Sequence, residues 1–175
     1  MGKSTWIALL LMPLCVGVAT AQPITTRPSA KVIDPAHVFS AEAVDRAARL
    51  IDQISERHHK DVLVLAYLTI PMDKAADFQA KSRDQFFADW SAQLAREHQL
   101  NGMLVVVIKQ MGRLEITVGN QTLQHQFTTA DRDKLRDLML EHFKEHRFDQ
   151  GLVQGLQFVL QRMWENQQGQ QEKQS

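Results

Sequence analysis

Residues 101–119 constrain the fold more than any other stretch of the chain. They read Asn101-Gly102, then Met103-Leu104-Val105-Val106-Val107-Ile108, then Lys109-Gln110-Met111-Gly112-Arg113, then Leu114-Glu115-Ile116-Thr117-Val118, closed by Gly119. An apolar run of strand length, a short turn containing glycine and a second, alternating run are the signs of a β-hairpin. The unbroken first run leaves no wet face, so it belongs inside a sheet; the alternating second run is covered on one side and lies nearer an edge. Gly112 is placed to take the positive φ that ends a tight three-residue turn. Antiparallel pairing then brings Asn101-Gly102 and Gly119-Asn120 to the same end of the sheet, because the start of one strand faces the end of the other.

Residues 61–70 form a second, nearly all-apolar run, stopped by Pro71. Asp73 can cap a long helix reaching about His98, with Ala76, Ala80, Phe87, Trp90 and Leu94 on its inner face. Strand, helix, strand makes a parallel crossover unit, for which a right-handed connection is expected. Upstream, Pro35 pushes Asp34 into extended geometry. Ser40 then reads as an N-cap with Glu42 in the first turn, and Ala43, Val44, Ala47, Leu50, Ile51 and Ile54 recur at helical spacing. His58-His59-Lys60 read as the solvated, cationic end of that helix.

Two helices follow the hairpin. Thr129 is read as the cap of the first, with Asp131 and Asp133 in its opening turn and a stripe of Leu135, Leu138, Met139 and Phe143. The second spans about 149–166, with Leu152, Leu156, Val159, Leu160, Met163 and Trp164 inward. Gly151 and Gly155, four apart, mark a close approach of that helix to a neighbour. The glutamine-rich residues 167–175 bury too little apolar surface to order themselves.

The first 21 residues read as an address. Lys3 supplies a positive start, residues 6–19 an apolar core interrupted by Pro13, and Ala19-Thr20-Ala21 a cleavage signal before Gln22. Cys15 is the chain's one cysteine, and Leu14 before it is too large for a lipoprotein signal. Cleavage near Ala21 therefore leaves a mature chain without cysteine, periplasmic or secreted, that folds without disulfides and has no membrane span. Residues 22–30, with Pro23 and Pro28, read as a linker, and one domain over 31–166 follows. With 20 acidic and 20 basic residues, the chain shows no basic excess of the kind a nucleic-acid surface carries.

The order of these elements, with particular residues at the joints, resembles the TPM domain family. That family includes thylakoid-lumen factors of photosystem II repair, bacterial envelope proteins and an animal modulator of acetylcholine receptors. The resemblance spans about 32–164. It rests on Val32-Ile33-Asp34 before the helix at Ser40, on Trp90, on Asn101-Gly102 and Val118-Gly119 flanking the hairpin, and on Phe143, Phe148, Gly151 and Gly155 at the last joint. It implies an α/β fold, a three-layer α/β/α sandwich. The small mixed sheet holds a parallel β-α-β unit followed by a β-hairpin, and two C-terminal helices complete the fold. It also implies, for some members, divalent-metal binding and an acid-phosphatase activity. The chain departs from the family where those properties live: Leu100 replaces an aspartate before Asn-Gly, Gly119-Asn120-Gln121 replaces Gly-Tyr-Gly, and His146-Arg147-Phe148 replaces Gly-Asp-Tyr.

Of the acids at the matching joints, Asp34 remains, with Asp149 one place past the last motif. Hard cations want several oxygen ligands, so no calcium or magnesium cofactor is expected. His142 and His146, four apart, would share one helical face inside the apolar stripe of Leu135, Leu138, Met139 and Phe143, which favours packing over metal ligation. There is no Gly-x-Ser-x-Gly elbow and no glycine-rich phosphate loop. Two expectations follow. The first is a non-enzymatic, exported assembly or quality-control module that binds another envelope or membrane protein through Asp34, Asn101, Gly102, Gly119, Asn120, Arg147 and Asp149. The alternative is a metal-dependent, phosphatase-like hydrolase whose ligands come from Asp34, Asp149, His142 and His146.

Overall fold

The computed structural model describes residues 31–172; the expected signal peptide, its cleavage site, the linker over 22–30 and the last three residues lie outside them. The hairpin forms as its pattern demands. β3 (Gly102–Ile108) is buried at every position, and β4 (Arg113–Val118) alternates half-buried with buried. They pair antiparallel from Met103 opposite Val118 to Ile108 opposite Arg113. The loop takes four residues rather than three: a 3-10 turn over Lys109–Met111, then Gly112 at φ 56°.

β2 (Asp61–Tyr67) runs parallel to β3 over seven pairs, Asp61 opposite Gly102 and Tyr67 opposite Ile108. β1, only Val32–Ile33, adds parallel to β2 and completes a four-stranded sheet in the order β1-β2-β3-β4. A two-residue strand has no periodicity of its own. Its hydrogen bonds to β2, including Val64 N–H to the Lys31 carbonyl at 2.9 Å, hold it in place.

The side chains of β2 and β3 divide between two cores. Val62, Val64, Ala66, Met103, Val105 and Val107 face one side, while Leu63, Leu65, Leu104, Val106 and Ile108 face the other. Three helices cover the first face: α1 (Ala41–His58), α5 (Thr129–Lys144) and α6 (Phe148–Glu172). The second carries α2 (Ala75–Ala80) and α3 (Arg83–Glu97). The three-layer α/β/α sandwich is therefore present. The parallel strands are added in one direction, yet α1 and α3 lie on opposite faces, so the two crossovers have opposite hands. The right-handed preference is met by only one of them.

The expected long helix from Asp73 is broken. A 3-10 turn, Met72–Lys74, leads into α2; Lys81 is extended at φ −118°, ψ 162°, and Ser82 caps α3 through a bond from the Gln85 N–H. Ser82 followed by Asp84 is itself a start signal for a new helix. The break leaves Ala76 and Ala80 exposed and sets Phe86 beside Phe87, Trp90 and Leu94 in the core.

Three further expectations shift. The cap of α5 is Thr128, not Thr129, because the Thr128 side chain and Asp131 close a reciprocal capping box. α6 continues through Glu172, so residues 167–172 are helical rather than tail. Glutamine is a good helix former, elongation from a packed helix costs little, and Gln170 reaches back to the His125 carbonyl. Trp164, read as inward, is 54% exposed. α4 (Asn120–His125), a short helix after β4, has no counterpart in the sequence reading.

Candidate functional site

The candidate residues divide between the two ends of the sheet. Asn101, Gly102, Gly119 and Asn120 lie at the amino end of the parallel strands, as the hairpin requires; Gly119 N–H donates to the Gly102 carbonyl at 2.8 Å. Here the contacts are structural. Asn101 N–H donates to the Asp61 carboxylate at 3.0 Å, Lys60 donates to the Asn101 side chain at 3.2 Å, and a Cβ on Gly102 would collide with the Asp61 backbone. Gly119 and Asn120 are exposed, Asn120 in the first turn of α4.

Asp34, Arg147, Asp149 and His146 lie at the carboxyl end. Ile33 pairs with Leu65 and Leu65 with Val106, so Asp34 is level with Val107, roughly 16 Å along the strands from Gly102 at ~3.3 Å per residue. The carboxyl end is also where an open α/β sheet offers a crevice, since the chain leaves β1 toward one face and β2 toward the other.

Both acids there are engaged with backbone. Asp34 receives the N–H groups of Val38 and Phe39, each at 2.9 Å, one on each carboxylate oxygen. This folds residues 34–39 into a turn that holds His37 at φ 48°. Asp149 receives the Ser40 N–H at 2.8 Å, tying the start of α6 to the cap of α1. Arg147 is half-exposed and forms an ion pair with Glu145, not with Asp149.

The histidine pair does not form. α5 ends at Lys144, and His146 stands in the left-handed region at φ 59°. The Arg147 N–H reaches the His142 carbonyl at 2.9 Å and the His146 N–H the Phe143 carbonyl at 3.1 Å, a Schellman turn that swings His146 off the helix into solvent. His142 stays buried with Nε2 2.8 Å from Gln154 Oε1. The two imidazoles therefore face different surroundings, with no shared metal geometry. Among the described residues no three His, Cys, Asp or Glu side chains converge on one point.

Two adjoining clefts open at this end. One, of about 430 Å³, lies between residues 37–40 and 146–150. The other, of about 330 Å³, lies between the hairpin loop and the end of α5, floored by Val107, Leu140, Phe143 and Phe148. Every titratable group lining the second is basic: Lys109, Arg113, Lys144 and His146. Lys109 sits 5.3 Å above the Phe148 ring, which stacks 5.2 Å from Phe143. Arg113 is neutralised by Asp84, at 2.8 Å, and by Glu115, while no ion pair among the described residues involves Lys109 or Lys144.

With this geometry in view, comparison with known proteins is decisive for the family: the sequence profile of the TPM domain matches residues 32–162. The chain belongs to the TPM domain family. No curated protein matches the sequence. This TPM domain is similar to the N-terminal domain of a P. gingivalis protein, at 18% identity and a TM-score of 0.64 over 79% of this chain and 85% of that one. It is also similar to the N-terminal domain of a Corynebacterium glutamicum protein, at 13% identity and a TM-score of 0.58 over 82% of this chain and 84% of that one. At such identities the likeness extends to the fold alone.

Within this TPM domain, sequence reasoning missed Lys109, Lys144, Phe39 and His37 as carboxyl-end residues. Two lysines at element ends look like ordinary solvated charges until the fold sets them on one rim. The chain's single tyrosine, Tyr67, ends β2 on the α3 face 5.3 Å from Trp90. Burial raises its pKa, with Glu97 and Asp73 adding to the effect, so it remains a neutral phenol at working pH.

Proposed function

We propose that this TPM domain is a non-enzymatic protein-binding module, serving assembly or quality control in the cell envelope. Its working surface is the carboxyl end of the sheet. The observation that carries this reading is how the two carboxylates are used. Asp34 and Asp149 spend oxygens on backbone N–H groups that fold the loops, beside an apolar floor rimmed by lysines without acids. Such a surface suits recognition. Metal-assisted phosphoryl transfer instead needs oxygen ligands left free to gather a cation. Export after cleavage near Ala21 fits the N-terminal segment, and the natural partner is then another envelope or membrane protein.

A photo-crosslinking amino acid at position 109 or 147 of the full chain, in cells of the source organism, should capture discrete protein adducts, whereas the same probe at position 120 should not. Equal capture from position 120 would remove the carboxyl end from the reading. Magnesium- or calcium-dependent phosphate release from p-nitrophenyl phosphate, lost in Asp34→Asn with the circular dichroism unchanged, would replace the module with a phosphatase-like hydrolase.

A further inference from the structure

The phase of the β3–β4 ladder decides which backbone groups of the edge strand are free. Gly119 N–H bonds to the Gly102 carbonyl, so Gly102 and Gly119 are a hydrogen-bonded pair. Hydrogen-bonded pairs alternate with non-bonded ones in an antiparallel ladder. Leu104 with Thr117, Val106 with Glu115 and Ile108 with Arg113 are therefore bonded as well. The N–H and C=O groups of Leu114, Ile116 and Val118 consequently point away from the sheet. Among the described residues no other segment pairs with them.

Of the devices that usually guard an edge strand, β4 carries only the charges of Arg113 and Glu115, which pair with each other. Its register is continuous over six pairs, without a bulge. It contains no proline, and the side chains at the three free positions are buried in the core. β4 begins at Arg113, which together with Gly112 lines the basic, apolar-floored cleft. A strand added to β4 therefore has one end at that cleft.

We infer that β4 and the cleft form one recognition surface for an extended peptide segment, which adds as a fifth strand through Leu114, Ile116 and Val118. It seats an apolar side chain against Phe143 and Phe148 and turns an acidic residue two positions away, on the same face of the strand, toward Lys109 and Lys144. Main-chain pairing supplies affinity, and the cleft supplies the choice of side chain. The acidic preference follows from charge, since every titratable lining residue is basic and Arg113 alone among them is neutralised by acids. The inference rests on the binding-module reading and specifies the partner's chemistry.

The test is a displayed library of random eight-residue peptides, selected on the full chain and counter-selected on a Lys109→Glu/Lys144→Glu chain. Winners should combine an acidic residue with a large apolar one two positions away and bind the charge-reversed chain about tenfold more weakly or worse. Hydrogen exchange at the amides of Leu114, Ile116 and Val118 should slow on binding. Those of Arg113, Glu115 and Thr117, already bonded to β3, should not change. Methylating alternate peptide nitrogens of a winner should abolish binding in one phase and spare it in the other. Failure to select any peptide that discriminates the two chains overturns the inference. So does a winner that leaves the three amides unprotected; the module reading then still stands on its crosslinking result.

Discussion

His58 is the residue whose surroundings are least like its sequence context. Flanked by Arg57, His59 and Lys60 it reads as a wet helix end, yet it is 3% exposed, and among the described residues neither ring nitrogen has a partner in good hydrogen-bond geometry. His59, one position on, takes the left-handed cap at φ 53° and faces solvent in its place. Burial pushes the His58 pKa below that of a free imidazole. Nearby Gln167 offsets part of the shift, and the charges of Arg57 and His59 add to it. The unfolded chain thus binds this proton more readily than the folded one. Stability from His58 is complete above the unfolded pKa of about 6.5 and is lost as pH falls from there through the depressed folded value. We predict that the melting temperature of His58→Leu falls less between pH 7.5 and 5 than that of the native chain. The slope is the readout, since the shape change itself costs up to about 1.5 kcal/mol. Parallel slopes would show that His58 takes up its proton without penalty.

At the scale of elements, α5 and α6 pack closely through two glycines. Gly151 and Gly155 do mark a close approach, and the contact is with α5: a Cβ on Gly151 would sit 2.5 Å from a Phe143 ring carbon, and one on Gly155 2.8 Å from Met139 Cγ. The two neighbours differ in what they can yield. Phe143 is stacked between Phe148 and Phe39, whereas methionine has three rotatable bonds with which to move aside. Alanine also gains about 1 kcal/mol over glycine inside a helix. In urea denaturation Gly151→Ala should lose roughly 1–3 kcal/mol of stability, and Gly155→Ala distinctly less. Equal losses would mean that the Phe143 ring moves as freely as the thioether. The far end of the same pair is clasped by Asp131, 1% exposed, which accepts from Thr128, Asn166 and Arg162. Burial alone would raise its pKa, but these hydrogen bonds together bring it below the usual aspartate value. A single start-signal acid in the sequence is thus also the anchor for a helix 31 residues away.

For the molecule as a whole, with Asp34 and Asp149 engaged by backbone N–H groups, we predict that no bound divalent ion contributes to stability. Millimolar calcium or magnesium should leave the melting temperature of the full chain unchanged in a thermal scan. A ligand at 100 times its dissociation constant would add about 2.7 kcal/mol. A calcium-dependent rise abolished by Asp149→Asn would revive the hydrolase. The central strand, the hairpin, the helix beginning at Ser40 and the layered class were legible because each rests on a local property: period, run length or a cap within four residues. The break at Ser82 was legible in principle from Ser82 and Asp84, but it was masked by apolar residues spaced as if for one longer helix. Other features are written in no local pattern. β1 exists because β2 offers it hydrogen bonds, His58 is buried because another helix closes over it, and His146 leaves its expected face because a left-handed residue ends α5. The sequence by itself determined β2, the two hairpin strands and how they pair, and the helices that became α1, α5 and most of α6. Only the tertiary structure decided that Asp34, Arg147 and Asp149 stand together, roughly 16 Å along the strands from Asn101 and Gly102, and that Lys109 and Lys144 share one rim. Which loops meet depends on the direction and order in which strands join the sheet, and that is settled by contacts between residues far apart in the chain.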